Sequence, residues 1–291
     1  MTVVVHRHAE LEALADVAGD TAVVMTMGAL HEGHAALVRA ARDRVGAAGR
    51  VIVTVFVNPR QFGAGEDFER YPRTLEADVA LAADAGADVV FAPAVDEVYP
   101  PEGSAAAAIV IDPGPLGGEL EGAARPGHFA GMLTVVGKLL HMTSPNLAYF
   151  GEKDYQQLVL VRAMVQGLDF PVEIVGVPTV REEDGLAMSS RNRYLSPQAR
   201  LVASRIPAAL REGQAAAYNG AQAVVEAVRR CLDEAAAEAE VPVRVDYVVV
   251  RGLDLGDPPE VGPARLVATV IVDGTRLLDN VDVQLGPECA R

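Results

Sequence analysis

The stretch TAVVMTMGALHEGH, residues 21–34, decides the fold. Thr21–Met27 is an apolar run of strand length without polar alternation, the pattern of a strand buried on both faces of a parallel sheet. The turn GALHEG then leaves its carboxyl end, and a helix begins near Gly33 with its amino terminus aimed at the crevice where such sheets bind ligands. Two imidazoles at i and i+3, His31 and His34, share one side of that first turn, flanking backbone N–H groups that favour an anion. Glu32 faces elsewhere, and Gly33 lets the backbone approach closely. The arrangement reads as a phosphate site. A zinc site is the rival reading, weakened by the lack of a third ligand nearby, and a structural histidine pair is the other.

Working outward, Val51–Phe56, Asp88–Pro93, Asn146–Phe150 and Val172–Val177 are further buried-strand runs. Between them lie helical periodicities: Leu37, Ala41 and Val45; Leu75, Val79 and Ala83; the run from Phe129 to His141; and Leu158, Val161, Val165 and Leu168. Strand and helix in alternation predict an α/β fold, a Rossmann-like doubly wound parallel sheet.

After residue 180 the texture changes. Ser196–Gly213 and Ala221–Glu238 read as helices, the first bent or broken at Pro207. Val243–Val250, Leu266–Val272 and Arg276–Gln284 are β-rich runs joined by DLGDPPEVGP and DGT. The expected organisation is a Rossmann-like domain over 1–180 and a smaller α+β carboxyl-terminal domain over 181–291 that carries a short antiparallel sheet and covers the active site. There is no tandem repeat, and the one low-complexity patch is Ala105–Ala108.

Composition narrows the function. The chain has 291 residues, half of them hydrophobic, yet no apolar stretch reaches the roughly 18 residues of a membrane span. No secretory signal is visible at its start, so a cytoplasmic location is expected. A formal charge of −15 opposes nucleic-acid binding, which draws on Lys and Arg. An anionic ligand must then meet a local concentration of positive charge. Cys231 falls on a helical stripe with Val224, Val228 and Leu232, and neither it nor Cys289 has metal-ligand spacing. Of the 25 basic residues only Lys138 and Lys153 are lysine. Two readings stand for them: chance survivors of an arginine-rich drift, or positions that need a compact ammonium on a flexible stem.

The segments FVNPRQFG (56–63), YPRTLEAD (71–78), ELEGAARPGHFAG (119–131), FGEKDYQQL (150–158) and VPTVREEDGLAMSSRNRYLS (177–196) accompany TMGALHEGH. Together, and in this order, they resemble the pantothenate synthetase (pantoate–β-alanine ligase) family of the HxGH nucleotidyltransferase superfamily, across residues 20 to 285.

The resemblance implies ATP-dependent condensation of pantoate with β-alanine through a pantoyl adenylate, releasing AMP and pyrophosphate. It implies that His31 and His34 hydrogen-bond the phosphates of ATP and that Lys153 reaches the α- and β-phosphates. Gly151 and Asp154 would meet the ribose, and Met27, Val180 and Met188 would complete the ATP site. Ser189, Ser190 and Arg191 resemble a KMSKS-type loop closing over the phosphate tail. Gln61 and Gln157 match the family's pantoate-binding glutamines, with Asn58, Met27 and Phe62 as neighbours and Pro59 stiffening the loop. Glu121, Arg125 and His128 belong to a Gly- and Pro-marked cover.

Asp78, Lys138 and Tyr71 read equally as site residues or as structural ones. Mg²⁺ is expected with ATP, carried mainly by phosphate oxygens and water, with Asp78 and Asp154 as outer candidates and no protein metal site. A homodimer is expected by the same likeness. A different HxGH nucleotidyltransferase, which would not need the paired glutamines, and a non-catalytic nucleotide-binding or tRNA-handling protein are the alternatives. No residue identifies itself as proton acceptor for the β-alanine amine.

Overall fold

The computed structural model describes residues 2–14, 16–63 and 68–286, and the chain divides into two units. The first comprises 1–152 and 156–178; the second comprises 153–155 and 179–291. Cys289 lies outside the described residues.

The first unit holds six strands: β1 Val3–Val5, β2 Thr21–Thr26, β3 Arg50–Val55, β4 Val89–Phe91, β5 Leu147–Gly151 and β6 Glu173–Val177. Every pairing is parallel, in the order β1-β4-β3-β2-β5-β6. The helices are α1 His8–Glu12, α2 Glu32–Val45, α3 Leu75–Asp84, α4 Val95–Val98, α5 Glu121–Ala124, α6 His128–Thr143 and α7 Tyr155–Gly167. The chain builds outward from β2 through β3 and β4, then adds β5 and β6 on the other side of β2. That reversal opens a crevice at the carboxyl end of β2, where the histidine turn emerges. Ala22, Val23, Val24, Val51, Ile52 and Val53 are wholly buried, as unbroken apolar strands of a two-sided parallel sheet should be.

Three sequence expectations shift. Val3–Val5 is a strand that the sequence reading does not contain: three residues at the sheet edge carry too little pattern to register. Leu168 follows the end of α7 and is exposed, and on α3 the buried positions are Asp78 and Ala82 rather than Ala83. A polar residue thus occupies part of the stripe that apolar periodicity assigns to the core.

In the second unit, α8 Pro197–Ala203, α9 Arg205–Ala216 and α10 Ala221–Ala237 pack on an antiparallel sheet of β7 Val243–Arg251, β8 Gly262–Val272 and β9 Thr275–Leu285. The helix break lies at Ser204, not at Pro207. Pro207 sits in the first turn of α9, where its missing N–H has no intrahelical partner to lose. Asp273 and Gly274 both take positive φ between β8 and β9, the two-residue turn whose twist matches a hairpin. Cys231 packs beside the core of Val224, Val228 and Leu232. Among the described residues no helix is long and apolar enough to cross a membrane.

Candidate active site

The histidine turn is built by its own backbone. His31 caps α2 in extended conformation, and its Nδ1 accepts the Gly33 N–H at 3.2 Å. His34, one turn in, accepts the His31 N–H on Nδ1 at 3.3 Å. Each imidazole therefore stands in for a capping-box side chain, and the ring centroids lie 4.1 Å apart. A nitrogen that accepts a backbone N–H carries no proton of its own. Each ring accordingly carries its proton on Nε2. Glu32 is exposed and pairs with Arg39, leaving the turn clear of its charge.

The turn enters this cap through two left-handed residues, Gly28 at φ 82° and Ala29 at φ 50°. Ala29 pays a steric cost there. Asp78, 2 % exposed on α3, offsets it: Oδ2 accepts the Ala29 N–H at 3.1 Å, and Oδ1 accepts the Leu30 N–H at 2.8 Å and the Thr74 hydroxyl at 3.2 Å. A Cβ on Gly28 would come within 2.9 Å of Asp78 Oδ2. Asp78 is a brace rather than a solvated charge.

Beside this turn lies the loop after β3. Asn58 is buried: its Nδ2 donates to Gln61 Oε1 and to the Gly131 carbonyl, both at 3.1 Å. Its Oδ1 accepts the Arg60 N–H at 3.2 Å and the Tyr99 hydroxyl at 2.7 Å. Burial pushes the Tyr99 hydroxyl up to about 12, against the opposing Arg60 charge and the Asn58 hydrogen bond, so it stays protonated and donates. Gln61 Nε2 reaches Met27 Sδ at 2.8 Å, which joins two of the expected pantoate-binding residues. Phe62 stacks tilted on Phe68 and edge-on to the largely buried Tyr71.

The proposed cover is anchored to the same loop. His128 Nδ1 lies 2.9 Å from the Gln61 carbonyl oxygen, which also accepts from Arg125 at 3.4 Å, while Arg125 and His128 Nε2 meet at 3.1 Å. The Glu121 N–H donates to Gln156 Oε1 at 3.0 Å, and Gln156 Nε2 donates to the carbonyls of Leu116 and Glu119. The two glutamines of the DYQQ segment thus divide their work. Gln156, buried, holds the cover, whereas half-buried Gln157 makes no side-chain hydrogen bond among the described residues. Lys138 sits on α6, half-buried and without an ion-pair partner among the described residues.

In the second unit, Met188 donates its N–H to the Val180 carbonyl at 2.9 Å, so these two residues expected in the ATP site are paired across a tight ribbon. Arg181 fastens that ribbon to buried Asp279 by bonds of 2.7 and 3.0 Å. Glu182 and Asp184 share Arg200 at 2.7 Å each. Partial burial works against ionisation of both carboxyls, but hydrogen bonds and the Arg200 charge prevail and hold both below the ordinary range. Ser189 caps the short helix Ser190–Tyr194, accepting the Arg191 N–H at 3.3 Å. The Ser190 hydroxyl and Arg191 guanidinium are half-buried and have no protein partner among the described residues. Lys153 meets Asp154 at 3.3 Å, in the turn that follows Gly151 at the end of β5.

No group of three or more His, Cys, Asp or Glu among the described residues could hold a metal ion. Both Asp78 oxygens are occupied by N–H and hydroxyl donors, so this carboxylate does not suit Mg²⁺.

Tyr99, Gln156 and the glycine at 131 escape sequence reasoning because their value lies in contacts distant along the chain. A Cβ on Gly131 would stand 2.0 Å from the Arg60 carbonyl oxygen, and this close approach lets α6 support the Asn58 loop.

Comparison with known proteins agrees with this geometry. A family model described as pantoate-beta-alanine ligase matches residues 3–282. A pantothenate synthetase of Salinispora arenicola is 56 % identical over 99 % of both chains. A crystal structure of pantothenate synthetase from Thermus thermophilus superposes with a TM-score of 0.87 at 46 % identity, covering 98 % of this chain and 100 % of that one. A pantoate-beta-alanine ligase from Francisella tularensis, complexed with beta-gamma ATP and beta-alanine, gives 0.77 at 30 % identity over 97 % of each. With the histidine cap, the amide-lined loop and the matching length all in agreement, this chain belongs to the pantoate-beta-alanine ligase family.

Proposed function

We propose that this protein condenses pantoate with β-alanine at the expense of ATP. A pantoate carboxylate oxygen attacks the α-phosphorus and the bond to the β-phosphate oxygen breaks, giving pantoyl adenylate and pyrophosphate. The free β-alanine amine then attacks the acyl carbon, the acyl C–O bond to the phosphate breaks, and AMP and one amine proton are released as the amide forms. The nucleophile of the first step is ionised near neutral pH, so no general base is required. The work is positioning, together with stabilisation of charge on the phosphoryl oxygens and pyrophosphate.

The observation that carries this reading is the paired histidine cap, which sets two imidazole rings side by side at the amino terminus of α2. His31, His34, Lys153, Ser189, Ser190 and Arg191 would stabilise the developing charge. Gly151, Asp154, Val180, Met188 and Met27 would hold the nucleoside. Gln61 and Gln157 would bind pantoate through their amides, with Asn58 fixing Gln61, and with Met27 and Phe62 offering apolar surface to its gem-dimethyl group. Glu121, Arg125 and His128 would shield the adenylate from water. Mg²⁺ would travel on phosphate oxygens; no side chain is assigned to it. The protein would act in the cytoplasm as a homodimer, without nucleic-acid or membrane partners.

The deciding experiment is a coupled assay for AMP release. Release that depends on both pantoate and β-alanine is expected. ATP binding without turnover would identify a nucleotide-binding module instead, and adenylyl or cytidylyl transfer to a phosphate-bearing acceptor would identify a different HxGH enzyme.

A further inference from the structure

The carboxyl-terminal sheet has a second buried face that the chemistry above leaves unused. Ala264, Leu266, Ala268 and Val270 on β8, with Leu277 and Val283 on β9, belong to the core formed with α8–α10. Side chains alternate along a strand, so Arg265 and Asn280 turn the other way. They are nonetheless 4 % and 2 % exposed.

A buried guanidinium and a buried amide need partners. Asn280 Oδ1 accepts from Arg265 Nε at 2.6 Å, and its Nδ2 donates to the backbone carbonyl of Lys153 at 2.7 Å. Guanidinium nitrogens only donate and a carbonyl only accepts, so the orientation of the amide is fixed. The same guanidinium lies 4.1 Å from the Tyr155 ring centroid, and the Tyr155 hydroxyl donates to the Leu253 carbonyl at 2.9 Å. The turn 153–155 is therefore gripped at both ends by residues of its own unit.

We propose that Asn280 is a positioning residue for Lys153, fixing the backbone from which the ammonium stem extends. The inference rests on the reading of Lys153 as a cation for the ATP phosphates. A long flexible side chain finds a given phosphate oxygen more often when its base is immobile, and a displacement of about 1 Å at a reacting centre can cost two orders of magnitude in rate. Asp279, the preceding residue, turns to the opposite face and holds Arg181 beside the Val180–Met188 pair. Adjacent residues of one strand thus brace two segments expected at the nucleotide.

Asn280→Asp isolates the contact. It keeps an acceptor for Arg265 and sets an oxygen against the Lys153 carbonyl in place of the donor. Pantoate-dependent pyrophosphate release should fall about tenfold or more in kcat with the pantoate KM unchanged. In a Lys153→Ala background the same change should cost less than about twofold, because the group being positioned is gone. Should Asn280→Asp not fold, Asn280→Ala is measured in the same cycle. A Lys153→Ala enzyme at the parent rate would overturn the phosphate reading of Lys153 itself. A slow Lys153→Ala enzyme together with a fully active Asn280 variant, or with losses that multiply in the double variant, would overturn the positioning role alone.

Discussion

The buried Asp78 carboxylate accepts the Leu30 N–H at 2.8 Å and so ties α3 to the turn that carries both histidines. Asp78→Ala leaves the N–H groups of Ala29 and Leu30 unpaired, each worth about 1–3 kcal/mol, and releases a turn held in left-handed conformation. A loss of about 2–5 kcal/mol in denaturant unfolding is expected, with Asp78→Asn intermediate because its amide presents a donor to one of those N–H groups. A change below about 0.5 kcal/mol would show that the turn holds itself.

His34→Ala and Lys153→Ala should each slow pyrophosphate release by about a hundredfold or more while far-ultraviolet circular dichroism stays that of the parent. His34→Ala also removes the acceptor of the His31 N–H, a capping loss of about 1 kcal/mol visible in Tm. Turnover at the parent rate in either variant would refute the assigned role.

Gln61→Leu removes the amide that bridges Asn58 and Met27. The pantoate KM should rise at least about tenfold with the ATP KM little changed, since a site built to hydrogen-bond its substrate discriminates through that bond. Equal effects on both substrates would argue that the loop has collapsed instead.

Gly131→Ala places a methyl group 2.0 Å from the Arg60 carbonyl oxygen, a contact that can be relieved only by moving α6 off the loop. Destabilisation of about 1–3 kcal/mol and a raised pantoate KM are expected together. A neutral result in both assays would mean the helix and loop slide freely.

Glu182 and Asp184 ionise more readily folded than unfolded because Arg200 and its hydrogen bonds favour their charged forms. A lowered folded pKa gives stability that is complete above the ordinary carboxylate range and is lost as pH falls through the folded values. Arg200→Ala should therefore flatten the acid limb of the stability–pH curve and leave its neutral-to-alkaline shape alone. Both carboxylates are partly exposed, so the effect is modest and shrinks with salt.

The sequence by itself determined the doubly wound sheet, the three-stranded carboxyl-terminal sheet and the place of the histidine turn. Unbroken apolar runs such as Val51–Phe56, the two-residue hairpin turn and i,i+3 spacing are properties of local chain geometry and travel with the residues. Only the tertiary structure decided what Asp78, Gln156 and Asn280 do. Each is a polar residue on an element whose sequence gives no sign of its partner: Leu30, Glu121 and Lys153 lie 48, 35 and 127 positions away. Burial turns such a side chain from a solvated group into a brace, because a polar atom removed from water must find its hydrogen bonds inside the fold.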